Sequence, residues 1–166
     1  PKRGGRVIMW KTGHSLIKQK MKEVQADLAG EMSGHLFFAD RYFGYDDAVY
    51  ASLRLLEILS RTGLRIAELL KDLPPTVSTP EIRVEIEKER KFALVEAVKK
   101  ELAGKYEVID VDGVRVRFED GWGLIRASNT QPVLVLRFEA QTPKRLEEIR
   151  RIVEGTLEEI KKGFYG

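Results

Sequence analysis

Apolar positions along this chain change period several times, and each change marks an element. Ile17, Met21, Val24 and Leu28 recur at three- to four-residue spacing, which predicts a helix with Ser15 as its N-cap. Ahead of it, Arg6-Val7-Ile8-Met9-Trp10 reads as a strand. The aromatic-rich run from Phe37 to Phe43 predicts extended chain. Asp46 and Asp47 then open a second helix, whose Val49, Leu53, Leu56 and Leu59 share one face. Arg65 to Lys71 predicts a short helical piece. Residues 74–80 carry prolines at 74, 75 and 80 among small polar residues, cannot continue a helix, and read as a linker.

Beyond the linker the pattern is α+β. Ile82, Val84 and Ile86 alternate as in a half-buried strand. Phe92, Val95, Val98 and Leu102 predict a helix stopped at Gly104. Glu107 to Asp110 and Val114 to Phe118 flank Val111-Asp112-Gly113, a hairpin signal. Two further strands, 121–125 and 133–138, are followed by a helix that Thr142-Pro143 caps and that carries Leu146, Ile149, Val153, Leu157 and Ile160. Two domains follow, 1–73 and 81–166.

Composition narrows the class. The 166 residues contain no cysteine, so neither a disulfide framework nor a thiolate metal site is available. No apolar run approaches the roughly 18 residues that span a bilayer, and no signal-peptide pattern opens the chain, so the expectation is a cytoplasmic protein away from membranes. The net charge of +3 suits an anionic ligand and equally an indifferent basic surface.

The chemistry concentrates in short polar segments. Arg126-Ala127-Ser128-Asn129-Thr130-Gln131-Pro132 lies between two strands and offers a guanidinium fork, two hydroxyls and a carboxamide. That set suits a phosphate, although Ser128 and Asn129 are also common in plain hairpin turns. The two histidines both stand in glycine-bearing loops, in Lys11-Thr12-Gly13-His14-Ser15 and in Gly30-Glu31-Met32-Ser33-Gly34-His35. Loop placement of a group that exchanges protons near neutral pH fits a site. A metal held by Glu31 and His35 is possible by ligand type, but two ligands make a poor site.

Taken in order, these segments resemble the C-terminal half of the alpha-D-phosphohexomutase superfamily, bacterial phosphomannomutase/phosphoglucomutases in particular. The likeness extends through Arg41-Tyr42-Phe43-Gly44-Tyr45-Asp46-Asp47 and Leu53 to Leu59. It implies an α/β remnant of a mixed-sheet domain followed by an α+β domain similar to those of TATA-box-binding protein, a twisted antiparallel sheet with helices on one face. It implies that Glu31 and Ser33 bind the sugar, that Lys11 adds charge beside them, and that Arg126, Ser128, Asn129 and Thr130 grip the non-reacting phosphate. His14 and His35 would line the cleft as catalytic groups. Met32 stands where aminosugar mutases usually carry glutamine, which favours hexose phosphates without an amino group. Gln131 departs mildly from the family loop.

The family's phosphoserine and its aspartate-rich magnesium loop have no counterpart, since no Asp-x-Asp-x-Asp run occurs. The chain therefore reads as a piece of a longer enzyme, with Mg2+ bound outside it and the N-terminal domains of the same polypeptide as its partners. No metal site is expected within it. Two other readings remain: a non-catalytic sugar-phosphate-binding fragment, and a nucleic-acid-binding module. The last predicts exposed aromatics on the sheet and a basic stripe. Instead Lys and Arg interleave with Glu, and Phe118, Trp122 and Phe138 read as core or loop anchors, so no nucleic-acid partner is expected.

Overall fold

Helix α1 (His14–Val24) turns Ile17 and Met21, four residues apart, onto the fully buried ring of Phe37. In this computed structural model the described residues are 4–165; positions 1–3 and 166, the outer ends of the two expected domains, lie outside them, as does the side chain of Tyr165. The chain forms two units, Pro1–Leu73 and Pro74–Gly166.

In the first unit, Gly13 caps α1 instead of Ser15, and Gln25 ends it in the left-handed conformation (φ 52°). Leu28 consequently leaves the helix. It opens strand β1 (Leu28–Gly30), which pairs antiparallel with β2 (Leu36–Phe38) in the register Leu28↔Phe38 to Gly30↔Leu36. Helix α2 (Ala48–Thr62) follows, with the Asp47 side chain accepting from the Tyr50 N–H at 2.8 Å, and then the short α3 (Ile66–Leu69). The apolar stripe of α2 forms as predicted, yet Val49, Leu53 and Leu56 remain exposed. Polar contacts hold this helix instead. Arg54 donates to Asp40 at 2.8 Å and lies over the Phe38 ring, while Tyr50 stacks on Tyr42 with centroids 3.8 Å apart.

The strand predicted at 6–10 is not formed. A strand needs the backbone groups of a neighbour, and the sheet of this unit is the β1–β2 pair alone among the described residues. Val7, Ile8, Met9 and Trp10 are exposed, and the Lys20 ammonium sits over the Trp10 ring.

The second unit begins within the segment expected to be a linker. Strand β3 (Val77–Ser78) and strand β4 (Ile82–Glu85) lie along the same edge of the later strand β8 (Val133–Ala140). Thr79 closes the gap, because its N–H donates to the Phe138 carbonyl and its hydroxyl accepts from the Phe138 N–H. The prolines bar a helix, but the residues between them are free to extend and pair. Helix α4 (Lys91–Ala103), β5 (Glu107–Ile109), β6 (Val114–Phe118) and β7 (Gly121–Ala127) come next, and α5 (Pro143–Tyr165) closes the fold. All pairings are antiparallel, in the order β5-β6-β7-β8 with β3 and β4 outermost.

Alternation along these strands sorts side chains to two faces. Val114, Val116, Ile125, Ala127, Leu134, Leu136 and Phe138 meet Leu94, Val95 and Val98 of α4 and Ile149, Val153 and Leu157 of α5. Both helices thus cover one face, the arrangement expected. The opposite face carries Arg115, Trp122, Arg126 and Arg137, with Arg115 stacked 4.1 Å from the Trp122 ring. Trp122 is therefore not a core residue. Phe92 is also outside the core, at 54% exposed, since Lys91 and Leu94 occupy the inward side of α4.

Gly121 and Gly123 let α5 lie close to the sheet. A Cβ at 121 would stand 2.4 Å from the Glu139 carbonyl oxygen and 2.7 Å from Ile149. Gly121→Ala should therefore cost about 1–3 kcal/mol, read as a lower urea midpoint with an unchanged slope. Amide exchange should also be slower in the core strands of 74–166 than in β1 and β2, whose buried cluster is just Ile17, Met21 and Phe37.

Candidate functional site

The loop between β1 and β2 is Glu31-Met32-Ser33-Gly34-His35, a hairpin tip closed by the Glu31 N–H to His35 carbonyl bond at 2.9 Å and by Gly34 N–H to the Glu31 carbonyl at 3.0 Å. Gly34 takes φ 95°, a conformation open to glycine. The Glu31 carboxylate is held on both oxygens: the Gly13 N–H donates to Oε1 at 3.0 Å and the Ser33 hydroxyl to Oε2 at 3.0 Å. A carboxylate has about four acceptor directions, so one on each oxygen stays available. The first expected segment is thereby tied to the second. Lys11 is exposed two residues before Gly13, and Met32 is exposed at the tip.

His14 and His35 come together at the mouth of this hairpin, with ring centroids 4.4 Å apart and an edge-to-face tilt of 68°. His14 also lies edge-on to Phe37. Nδ1 of His35 is 2.6 Å from Asp46 Oδ2, and Asp46 Oδ1 accepts from the Leu36 N–H at 3.3 Å. The His35 bond, together with the Leu36 N–H, holds the Asp46 carboxyl below its usual range against the opposing effect of burial. An ionised Asp46 accepts a hydrogen bond from Nδ1–H, and in that neutral tautomer Nε2 of His35 is the acceptor nitrogen. Sequence reasoning treated Asp46 only as the start of a helix; the signal was its place two residues before the helix proper, where Asp47 already serves as cap. His14, His35 and Asp46 bring three ligand atoms within 4.8 Å of one another. Glu31 is not in that group.

In the second unit, Arg126 stands near the end of β7 on the helix-free face, 3.9 Å from Asp112. Gly113, at φ 82°, sits directly against it: a Cβ there would be 2.8 Å from Arg126 Cα and 2.4 Å from the Ile125 oxygen. Ser128 is buried, its hydroxyl accepting from the Gln131 N–H at 3.1 Å and so retaining its own proton to donate. Asn129 and Thr130 are exposed at the tip. Arg83 donates to the Gln131 side chain at 2.9 Å. Ser128, Asn129 and Thr130 thus share one loop, with Arg126 in the strand that leads into it, so that an arginine fork and hydroxyl and amide donors lie close together in sequence around an exposed tip.

Residues 1–77 match the family described as phosphoglucomutase/phosphomannomutase, alpha/beta/alpha domain III, and residues 81–155 match the C-terminal domain of the same family. The chain belongs to the phosphoglucomutase/phosphomannomutase family. It is 51% identical over 158 residues to a phosphomannomutase/phosphoglucomutase of Pseudomonas aeruginosa, covering 95% of this chain and 34% of that protein. A phosphoglucomutase/phosphomannomutase of Thermococcus kodakarensis is 32% identical over 162 residues, 96% of this chain and 35% of its own length. A crystal structure of a phosphoglucomutase/phosphomannomutase family protein from Burkholderia thailandensis superposes with TM-score 0.86 at 45% identity, over 98% of this chain and 34% of that one. The chain spans about a third of the length of the relatives it matches, in their C-terminal part.

The Asp46–His35 contact sets a pH dependence. A carboxyl whose folded pKa is depressed stabilises the fold fully above its ordinary value of 3.8 and loses that contribution as pH falls through the depressed value. Thermal melts from about pH 2 to about pH 6 should show stability rising with pH over that acid window, and Asp46→Asn should flatten the rise.

Proposed function

We propose that this chain supplies the sugar- and phosphate-binding half of a phosphohexomutase, which interconverts hexose 1-phosphate and hexose 6-phosphate through a phosphoserine and a bisphosphorylated intermediate. The observation that carries the reading is the Glu31 carboxylate, fixed by one protein donor on each oxygen and free to accept from two neighbouring hydroxyls. Ser33 holds it, and Lys11 brings positive charge to the same end of the unit. Adjacent hydroxyl pairs recur around a hexose, so the clamp suits either orientation of the sugar. Glucose and mannose phosphates both fit this demand.

The Arg126, Ser128, Asn129 and Thr130 loop grips the phosphate that is not being transferred. In the reaction a sugar hydroxyl attacks the phosphoserine phosphorus; its O–P bond forms as the serine O–P bond breaks, and the hydroxyl proton must leave. His14 and His35 orient that hydroxyl, and Nε2 of His35 is the nitrogen able to take the proton. The intermediate then reverses and returns its other phosphoryl group to the serine. Phosphoryl transfer asks mainly for such positioning and charge stabilisation.

Magnesium in this family would neutralise charge on the transferring group. Mg2+ takes hard oxygen ligands, and the close set of His14, His35 and Asp46 offers two imidazoles and one carboxylate, so these residues do not fit it. We assign the ion and the phosphoserine to N-terminal domains of a longer polypeptide, a cytoplasmic enzyme acting on free sugar phosphates. Among the described residues no helix is long and apolar enough to cross a membrane.

On this reading the 166-residue chain alone converts no glucose 1-phosphate to glucose 6-phosphate above a protein-free control. Within the longer protein, Ser128→Ala should raise the Michaelis constant about 10- to 150-fold, the worth of a hydroxyl bond to a charged phosphate. Arg126→Ala should raise it further, because a charge and paired donors go together. Both variants should release bisphosphate and need added hexose bisphosphate for full rate. Unchanged Michaelis constants with no released intermediate would return the loop to an ordinary hairpin turn.

A further inference from the structure

Lys91 is 2% exposed, at the first residue of α4. Its ammonium donates to the Ser128 carbonyl at 2.5 Å and to the Gln131 carbonyl at 3.0 Å, and lies 5.1 Å from the Phe92 ring centroid. Among the described residues it forms no ion pair with a carboxylate. A buried ammonium without a counter-ion is costly. Its position adds to the cost, because a helix N-terminus already bears partial positive charge and the first turn of α4 contains no acidic residue to offset it. Two sources of positive potential therefore stand directly beneath the loop at 128–131.

The two carbonyls give the lysine a second effect. No peptide bond of the described chain is cis, and in a trans peptide the C=O and the following N–H point in opposite directions. Drawing the Ser128 oxygen inward to Lys91 turns the Asn129 N–H outward, at the exposed tip of the loop. Ser128 is locked at the same time by its own N–H to the Val133 carbonyl and by the Gln131 N–H to its hydroxyl.

We propose that Lys91 is a positioning residue for a phosphate on this loop: it holds the Ser128 and Gln131 carbonyls away from the ligand, presents the Asn129 N–H to a phosphate oxygen, and lends a buried positive charge from below. The inference rests on the reading of this loop as the phosphate clamp.

The test uses the full chain, with inorganic phosphate and glucose 6-phosphate as probes and glucose as the uncharged control. Lys91→Met keeps the stem and removes the charge. Its affinity for both phosphates should fall at least about tenfold while circular dichroism shows a folded chain. The chain has no cysteine, so Lys91→Cys can be aminoethylated at that one position, and this lysine analogue should restore binding. In the wild-type chain the Asn129 amide resonance should shift on phosphate addition, which keeps the test open if the Met variant misfolds. Folded Lys91→Met with wild-type affinity, or an unmoved Asn129 amide while Arg126→Ala abolishes binding, would overturn the role of Lys91 and leave the clamp standing. Phosphate affinity unchanged in Arg126→Ala, with no loop amide responding, would remove the clamp itself and this inference with it.

Discussion

The register of β7 against β8 is the constraint on which the second unit depends. Seven consecutive pairs, from Gly121↔Ala140 to Ala127↔Leu134, fix which side chains face the helices and which face away. A slip by one residue would exchange the faces. Arg126 would then enter the apolar layer beside α4 and α5, and Ile125 would leave it. Buried Ile125, Leu134, Leu136 and Phe138 oppose that slip, and the two close-approach glycines oppose it again, because only their positions admit α5. Hydrophobic burial thus decides the direction of a charged side chain that has no part in the core.

The first unit has a different balance. Its buried cluster is small, and its second helix is attached chiefly through Asp47, Tyr50 and Arg54. Those contacts are short and directional, and they run to the segment immediately after β2. The histidine of the hairpin reaches the same segment through Asp46. A unit with a modest core therefore gains a well-defined hairpin tip from hydrogen bonds on both sides, Gly13 from one and Asp46 from the other.

Much of this was legible before any coordinates. Helical spacing located α1, α2, α4 and α5, and the Asp-Gly turn located β5 and β6, because period and turn chemistry are local properties. Local reasoning failed where the outcome depended on a partner. Residues 6–10 read as a strand but join no sheet among the described residues, whereas 77–79 look like a linker and find the edge of β8. Phe92 has helical spacing, yet the inward position goes to Lys91, one residue earlier. Within the candidate site, the loops and their polar residues were visible as unusual composition. Asp46 and Lys91 were not, since an aspartate before a helix reads as a helix start and nothing in the local pattern sets Lys91 apart from the charges around it. Their places come from contacts 11 and 37 residues away in sequence.

Gly113 links the hairpin of β5 and β6 to Arg126 by simple exclusion. The turn rests on the backbone of that arginine with no room for a methyl group, 13 positions earlier in the sequence and outside the loop that carries the polar groups. A genetic screen for loss of anion binding would therefore not confine its hits to the residues that touch the anion. Substitutions at Gly113 would score beside those at Arg126, and a map drawn from such hits would take a spacing requirement for a contact.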